Sequence, residues 1–427
     1  MAVVSRNRAD YRPRPVRTGG SFRPLAEHQF RLLWLGRLAS SLGDVLIPVA
    51  LAFAVLELHD SALAYGAVLA AFTGSRVLFS LVGGVVADRF SRRSVMLGCD
   101  LVRAAIEAVT AVLVFTHAMT VPLFVVTAVV FGAASAFFGP ASTALVPRTI
   151  GAGDLQAANA LLSMTQSVLN VFGPAVSGLL IAATHTTGWV FALDAATFVA
   201  SAVFLARLRV AEAPPTERAS LAAELAAGYR EVRGRSWVSS ALVAFAISNL
   251  CLASFLVLGP TIVRHHGGAG GWGLVAACGA FGLFAGAYLA GRLRPAHPLA
   301  VAFSSAALRA LPIAALAQPL PLPLLAAAFG IGMASTEFAD TLWETTLQRR
   351  IPGEVLARVR SYDQLVSFAF MPLGYVAFGA LADGAGAEPV LLVAACVVAA
   401  TNIAVAWRPS VRELSADEPA LRTTLVT

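Results

Sequence analysis

Three charged side chains share one face of a helix that is predicted within an otherwise apolar run. Asp100, Arg103 and Glu107 are spaced i, i+3 and i+7 in the run 94–117, which places them on one helical face. A single charge at the centre of a membrane helix costs about 2.5–3.5 kcal/mol, so we expect the three to pair. Glu107, about 20 Å along the helix at 1.5 Å per residue, is the stronger proton-binding candidate, and Asp100 is the weaker. The alternative is a salt-bridged packing triad between the second, third and fourth apolar runs.

The first apolar run, 30–57, contains a second pair of charges on one helical face. Arg37 and Asp44 are seven residues apart, and Asp44 lies near the middle of the run. A carboxyl group in an apolar environment holds its proton more tightly than one in water, and one that titrates near neutral pH can release its proton when a ligand binds. Asp44 is therefore a candidate for proton coupling. The alternative is a structural ion pair with Arg37 or with Arg76 of the second run.

The tenth apolar run, 320–346, carries an acidic stripe with the same spacing. Glu337, Asp340 and Glu344 lie on one helical face, and like charges at this spacing repel unless arginines or protons neutralise them. The neighbouring groups that could take part are Arg309, Arg349, Arg350, Arg358 and Asp363. Two interpretations remain open. The stripe either forms a cation-attracting entrance to a cavity, or it belongs to a salt-bridge network between two halves of the protein that could act as a gate.

Other polar residues carry weaker signals. Asn170 in the run 155–184 and Asn249 in the run 237–263 would either face a cavity or hydrogen-bond across helices. The four cysteines lie in apolar runs without CxxC spacing or a neighbouring histidine, which indicates small buried side chains rather than a disulfide or a metal site. We expect neither a metal nor a cofactor.

Composition decides which elements must position these residues. The chain has 427 residues, of which 58% are apolar and 13% are charged, whereas soluble domains carry roughly 25% charge. The sequence therefore predicts a polytopic membrane protein. All 31 residues of the Lys+Arg count are arginine. The absence of lysine excludes a P-loop ATPase site and Schiff-base chemistry in this chain.

A membrane-spanning helix needs about 20 apolar residues, and the sequence contains twelve candidates. They are approximately 30–57, 62–87, 94–117, 121–147, 155–184, 188–206, 237–263, 270–291, 298–317, 320–346, 357–383 and 387–407. The longest polar interruption divides them into six plus six. The predicted organisation is a tail 1–29, a six-helix bundle 30–206, a linker 207–236, a second six-helix bundle 237–407 and a tail 408–427.

The positions of the arginines predict the orientation in the membrane. Of the 31, 26 lie in the amino-terminal arm, after even-numbered helices or in the carboxyl-terminal tail, Arg264 alone lies in an odd-numbered loop, and four lie within helices. Because positive charge is retained in the cytoplasm, both termini are expected there, in the cytoplasmic membrane of a bacterium. These arginines flank membrane helices and form no single stripe, so the high net charge does not favour nucleic-acid binding.

The two halves repeat one another. Gly83–Arg89 ends the second run, and the similar segment Gly286–Arg292 ends the eighth run 203 positions later. Two halves in the same membrane orientation imply a pseudo-two-fold axis along the membrane normal. A ligand site is then expected between the halves, near the middle of the membrane.

The segment Gly83–Arg93, GGVVADRFSRR, resembles the loop signature of the major facilitator superfamily, G-x-L-A-D-R-x-G-R-K, with Ser91 in place of glycine and Arg93 in place of lysine. Further segments resemble one branch, the secretion effectors that include macrolide and enterobactin exporters. These segments are Phe30–Arg37, Ser41–Asp44, Phe138–Pro147, Ala158–Leu161, Gly173–Pro174, Leu347–Pro352, Arg358–Ser361 and Pro372–Gly374.

The resemblance implies two helical bundles that alternate in exposing a central cavity, usually driven by protons. Helices 1, 4, 7 and 10 generally line the cavity in this superfamily, which makes Asp44 the first choice for proton coupling. Asp88 is implied to brace the outward-open state against the start of helix 11. Arg89, Arg92 and Arg93 are either part of this gate or charges that only fix the orientation.

We therefore expect a proton-coupled exporter of drug-like or secondary-metabolite compounds that functions as a monomer in the lipid bilayer. A siderophore or lipid exporter of the same fold is the alternative within transport. A membrane-embedded enzyme is disfavoured because HExxH and GxSxG motifs and intramembrane histidines are absent. The two-half repeat and the signature loop disfavour a channel or a receptor.

Overall fold

The computed structural model describes residues 23–89, 91–210 and 229–414. The side chains of residues 81–89, 144, 152, 266, 353, 354, 357, 358 and 361 are outside the described set. Twelve long helices follow one another, and the described ranges contain no strand. This is the outcome expected for a membrane chain, because a helix satisfies every backbone amide and carbonyl group within its own segment.

Six helices form the first half, close to the predicted positions. They are α1 (His28–Leu58), α2 (Ala62–Arg89), α3 (Arg92–Phe115), α4 (Val121–Thr149), α5 (Leu155–Thr184) and α6 (Gly188–Arg207). Within this N-terminal bundle α2 packs on α4, α3 packs on α4 and α6, and α1 packs on α5 and α6.

The second half begins with helical residues Ser236–Arg292, which divide at Gly268. The backbone of Gly268 has φ 58° and ψ −160°, a left-handed conformation that glycine adopts at little cost. The helices of the C-terminal bundle are α7 (Ser236–His265), α8 (Gly267–Arg292), α9 (Pro298–Leu316), α10 (Leu322–Arg350), α11a (Gly353–Ala369), α11b (Met371–Ala385) and α12 (Ala387–Ala406).

Two of the predicted spans are interrupted. The helix α9 tightens into a 3-10 turn at Ala307–Arg309, and the eleventh span divides at Phe370 into α11a and α11b. Prolines follow both positions, Pro312 and Pro372. A proline lacks the amide hydrogen that a regular helix needs and crowds the preceding turn, so both interruptions have a local cause.

Eleven helices of the described chain are long and apolar enough to cross a membrane. The twelfth long helix, α3, has 24 residues but carries the three charges at Asp100, Arg103 and Glu107. It packs between α4 and α6, so its charged face is covered by protein. The twelve helices form the two six-helix bundles that the sequence predicts.

The two bundles share an apolar core at one end only. We call the end where α1 begins and α12 ends the terminal side, and the opposite end the far side. On the far side one continuous core contains Phe53 and Phe191 of the first bundle and Phe255 and Tyr375 of the second. On the terminal side the described residues form separate cores, one around Phe30 and one around Trp343. The bundles therefore meet on the far side and diverge toward the terminal side.

Candidate functional site

Arg103 is the centre of a buried charge cluster in the N-terminal bundle. Its guanidinium forms ion pairs with Asp100 and, at 3.5 Å, with Asp44 of α1. It also donates a hydrogen bond of 3.2 Å to the hydroxyl of Ser40. The second oxygen of Asp100 accepts a hydrogen bond of 2.5 Å from Ser201 of α6. The cluster thus joins α3 to α1 and α6. The alternative raised from the sequence, a salt-bridged triad that packs α3 against the second and fourth helices, named different neighbours.

Two aromatic rings hold the guanidinium of Arg103 from either side. Its central carbon lies 4.4 Å from the ring centre of Phe138 and 4.3 Å from that of Phe198. Such cation–π contacts contribute about 2 kcal/mol or more when desolvated. The rings also exclude water, so the position of the guanidinium is fixed and its partners must come from protein side chains.

Asp44 is the member of the cluster that water can reach. Its side chain is 40% exposed, compared with 2% for Arg103 and 0% for Asp100. The helix α1 is surrounded by α2, α4, α5 and α6 and also touches the C-terminal bundle. Because α1 has neighbours in both bundles, we infer that the exposed part of Asp44 faces the space between them.

Glu107 and Asp194 complete the cluster on its buried side. Their residues are 5% and 0% exposed, and the atoms Glu107 Oε2 and Asp194 Oδ2 have no hydrogen-bond partner among the described residues. Electrostatic interactions link Glu107 to Asp44 and Arg103, and Asp194 to Glu107. The expected mutual pairing of Asp100, Arg103 and Glu107 is thus only partly observed: Arg103 pairs with Asp100 and Asp44, whereas Glu107 forms no ion pair among the described residues and interacts with the cluster at longer range.

Sequence reasoning missed Asp194. The residue is a lone acid in the run 188–206 without a charged neighbour on its own helix face, so no spacing drew attention to it. An intramembrane acid is by itself a signal of function, and that rule would have found it. Its place in the cluster depends on Gly43, because a methyl group there would collide with the Asp194 carboxylate.

The other two intramembrane arginines of this bundle have no direct acidic partner. Within the described residues neither Arg37 nor Arg76 forms an ion pair, although Arg76 acts electrostatically on Asp44 from α2. The predicted structural pair between Arg37 and Asp44 does not occur, because Asp44 turns toward Arg103. Spacing on one helix could not decide between a partner seven residues away and one on another helix.

In the C-terminal bundle Arg309 and Arg360 each pair with one acid among the described residues. Arg309 of α9 contacts Asp340 of α10 at 2.7 Å, and Asp340 is 49% exposed. Glu337, one turn earlier on α10, is half-buried. A small cavity of about 20 Å³ lies beside Arg309 and is lined by Ser248, Asn249, Leu252, Pro312, Ile313, Gly332, Met333 and Thr336, enough for one water molecule.

Of the remaining polar candidates, Asn249 and Asp363 join helices, whereas Asn170 bonds within its own helix. Asn249 donates a hydrogen bond of 2.9 Å to the carbonyl of Ser367 and so joins α7 to α11a. Asn170 is exposed and accepts a hydrogen bond of 2.9 Å from Gln166 one turn earlier. Asp363 accepts hydrogen bonds from Trp343 at 2.9 Å and Ser367 at 3.0 Å.

The described links of the predicted salt-bridge network near α11 lie within one bundle. Glu344 of α10 pairs with Arg360 of α11a, and Asp363 of α11a is bound to Trp343 of α10, so both links join helices of the C-terminal bundle. We had expected links between the bundles through Arg358, whose side chain is outside the described set. The short connection after α10 explains the difference, because it keeps α10 and α11a adjacent.

Part of the signature loop is described. Arg93 donates a hydrogen bond of 2.9 Å to the carbonyl of Leu205 and another to that of Ala206, and thereby binds the negative end of α6. Arg92 is also engaged in an interaction. The side chains of Asp88 and Arg89 lie outside the described residues.

On the far side, charged groups of the C-terminal bundle bind helix ends of the N-terminal bundle. The Asp383 carboxylate accepts hydrogen bonds from the hydroxyl of Ser61 at 2.8 Å and from the amides of Ala62 and Leu63 at 3.3 Å, at the start of α2. Arg264 donates a hydrogen bond of 2.6 Å to the carbonyl of Leu56, at the end of α1. Each charge opposes the sign of the helix end that it binds.

The far-side contact also requires close backbone approach between α2 and α11b. A Cβ atom at Gly66 of α2 would collide with the Tyr375 carbonyl, and one at Gly379 of α11b would lie 2.8 Å from the Ala62 carbonyl. The two antiparallel helices therefore touch along their backbones. For metals, the described ranges contain no group of three or more His, Cys, Asp or Glu side chains that could hold an ion.

Comparison with known proteins identifies the family. The family model described as transmembrane secretion effector matches residues 19–424. The multidrug efflux pump Tap of Mycolicibacterium fortuitum is 26% identical over 399 residues, which cover 90% of this chain and 96% of that protein.

Solved structures agree on the fold. A point mutant of the nucleoside transporter NupG superposes with a TM-score of 0.72 at 12% identity and covers 88% of this chain and all of that one. A bacterial homologue of the lysosomal transporter Spinster, solved in an inward-facing and unoccupied conformation, gives a TM-score of 0.70 at 15% identity, with 92% and 99% coverage. The chain belongs to the transmembrane secretion effector family and is a multi-pass membrane transporter with the major facilitator fold.

Proposed function

We propose that this transporter exports drug-like or secondary-metabolite small molecules in exchange for protons, by alternating access. The observation that carries the proposal is the position of Asp44. This carboxyl group is deep in α1, faces the space between the bundles and contacts the buried Arg103 at 3.5 Å. It can therefore respond both to a substrate in that space and to the charge cluster behind it.

Proton coupling follows from competition for Arg103. When Asp44 is ionised, its carboxylate pairs with the guanidinium; when it binds a proton, the attraction is lost and Arg103 keeps only Asp100. Protonation of Asp44 thus changes what links α1 to α3. A substrate that reaches Asp44 from the cavity would favour release of the proton, so both cannot occupy the site fully at once.

Alternating access is supported by the unequal ends of the molecule. The shared core, the hydrogen bonds of Asp383 and the ion pair of Arg264 with Asp60 close the far side, while the cores of the two bundles are separate on the terminal side. The distribution of arginines favours a cytoplasmic terminal side. With that orientation, the structure corresponds to the state that receives substrate from the cytoplasm.

The opposite state needs a closure on the terminal side. Resemblance to the superfamily assigns this closure to Asp88 of α2, which would brace against the start of α11a. Arg89, Arg92 and Arg93 follow it in the same loop. Glu344, Arg358 and Asp363 are the residues of the C-terminal bundle that we propose for the same region, and Glu337, Asp340, Asn170 and Asn249 for the cavity wall.

The substrate class rests on the relatives. Tap is a multidrug efflux pump, and we extend that substrate class to this chain. A monomer is the proposed functional unit, because the space that Asp44 faces lies between the two bundles of one chain.

Transport in inside-out vesicles tests the proposal. Erythromycin and ethidium should accumulate when a proton gradient is imposed, an uncoupler should abolish accumulation, and ATP depletion at a maintained gradient should not. Asp44→Asn should abolish the accumulation and its dependence on pH. The matched control is Asp154→Asn, which breaks a largely exposed pair with Arg23 at 3.7 Å and should leave transport unchanged. Unaltered pH-dependent transport by Asp44→Asn would refute the assignment.

A further inference from the structure

We propose that Glu107 and Asp194 form a second proton-binding site, hidden behind Asp44, that exchanges protons with it. This inference rests on the proposed proton coupling and extends it to two residues of α3 and α6. The first observation is burial. Both residues are at least 95% buried, whereas the Asp44 side chain is 40% exposed to the space between the bundles.

The second observation is the number of charges around Arg103. The guanidinium already pairs with the carboxylates of Asp100 and Asp44. Glu107 and Asp194 each keep one buried carboxyl oxygen without a hydrogen-bond partner in the described part of the chain. Neither residue forms an ion pair in the described part of the chain, and the other oxygen of Asp194 accepts only a long hydrogen bond of 3.4 Å from the Thr197 hydroxyl. A buried carboxylate with so few partners is strongly unfavourable. Two bound protons remove both charges, and the packing observed here is compatible with that state.

The third observation is that the cluster contains an unused donor. Arg103 Nε is buried and has no acceptor among the described residues, while Nη1 and Nη2 serve Asp44 and Asp100. If Glu107 loses its proton, the carboxylate that forms can take Arg103 as its cation in place of a protonated Asp44. The number of ionised acids around Arg103 then stays the same, so the proton can move without adding net charge.

The proton step is a transfer between carboxyl groups. Starting from the state in which both acids carry a proton, the O–H bond of Glu107 breaks as one forms on the Asp44 carboxylate, and Glu107 becomes the carboxylate that pairs with Arg103. Asp44 then releases this proton to water in the cavity. Uptake is the reverse: hydronium in the cavity protonates Asp44, and the proton passes to the ionised Glu107 as Asp44 returns to the carboxylate. Gly43 is the contact point, because its missing side chain lets the Asp194 carboxylate lie against α1 beside Asp44.

Among the described residues, the charged groups that act on the pair are Asp44 of α1 and Arg103 of α3. Arg76 of α2 and Asp100 of α3 act on Asp44. The helix α4 faces the cluster with the uncharged ring of Phe138. In the described residues no cation forms an ion pair with Glu107 or Asp194, because Arg103 pairs with Asp44 and Asp100.

Infrared spectroscopy of the purified full chain tests the proposal without any substrate. Protonated carboxyl groups absorb at a C=O frequency distinct from that of carboxylates. At neutral pH the wild-type protein should give this band, Glu107→Gln and Asp194→Asn should each remove part of it, and the double variant should remove most of it. Glu413→Gln, at an exposed position, should leave the band unchanged. A band that survives in the double variant, or no band in the wild type, would overturn the proposal.

Two further measurements keep the outcomes separate. If a variant does not fold, the wild-type band is followed in heavy water, where a hidden pair should exchange more slowly than an exposed carboxyl group; rapid exchange contradicts the proposal. If the band behaves as expected but Asp44→Asn leaves proton-driven transport intact, the hidden pair stands and the proposed coupling through Asp44 fails. If transport depends on Asp44 but the band is absent, the proposed coupling through Asp44 stands and the hidden pair fails.

Discussion

The two bundles have the same architecture but treat buried charge differently. In the N-terminal bundle four acids surround Arg103, and two of them have an unpartnered oxygen. In the C-terminal bundle Arg309 has Asp340, and Arg360 has Glu344, each pair with at least one exposed member. Pairs in contact with water stay charged over a wide pH range. The excess of buried acids in the first bundle is the arrangement that can gain and lose protons.

The difference also assigns separate mechanical roles. The C-terminal bundle supplies Asp383 and Arg264, which bind helix ends of the other bundle on the far side. The N-terminal bundle supplies the acid that faces the cavity. We infer that the first bundle senses protons, and that the second bundle forms the contact that opens and closes.

The largest effect is expected from removal of the only cation that pairs with buried acids in the N-terminal bundle. Arg103→Gln leaves Asp100 buried without its partner, and breaking a buried ion pair in this way costs about 3–5 kcal/mol. The thermal unfolding temperature of the purified protein should fall strongly. Arg103→Lys should not restore it fully, because an ammonium group cannot replace a planar guanidinium between two rings.

The corresponding change in the C-terminal bundle provides the comparison. Arg360→Gln removes the cation of a pair that is 47% and 33% exposed, and such pairs contribute at most about 1 kcal/mol. If Arg103→Gln and Arg360→Gln lowered the thermal unfolding temperature equally, the two bundles would not differ in how they hold buried charge.

An intermediate effect is expected at the contact between α1 and α6. Gly43→Ala places a methyl group against the Asp194 carboxylate, and overpacking of this kind costs about 1–3 kcal/mol. The stability of the detergent-purified protein should fall, and the pH dependence of transport should shift. Gly98→Ala is the matched control on α3, because a Cβ atom there meets no atom within 4 Å. Unchanged stability and unchanged pH dependence in Gly43→Ala would argue against close contact of Asp194 with α1.

The smallest effect is expected at the exposed contact between the bundles. Asp383→Asn weakens the cap on α2, and loss of a helix cap costs about 0.5–2 kcal/mol. Because Asp383 is exposed, we expect a cost of about 0.5 kcal/mol, which changes the conformational equilibrium by about twofold. The measurement is the rate of thiol labelling of Val257→Cys, a far-side core position, with the four native cysteines replaced. Labelling should be faster in Asp383→Asn and unchanged in Glu388→Gln, an exposed acid at the start of α12. Slower labelling would contradict a closing role.

The pattern of apolar runs predicted most of the fold, because a chain in lipid must satisfy its backbone within helices of sufficient length. The predicted run 155–184 and the observed α5 coincide, and most other boundaries differ by a few residues. Pro372 predicts a kink, and the eleventh span divides two residues earlier, at Phe370; the turn at Ala307–Arg309 was not predicted. Prolines near each position carried the signal, but whether a proline only kinks a helix or divides it depends on the packing around it.

The sequence by itself determined that the chain crosses the membrane as two six-helix halves and that Asp100, Arg103 and Glu107 share a face. Those properties follow from composition and from the helical period, which are local. Only the tertiary structure decided that Asp44 turns from Arg37 to Arg103, that Asp194 joins the cluster, and that Glu344 and Asp363 bind within one bundle. A charged side chain in an apolar interior takes the nearest partner in space, and helix packing, not spacing along the chain, sets which partner that is.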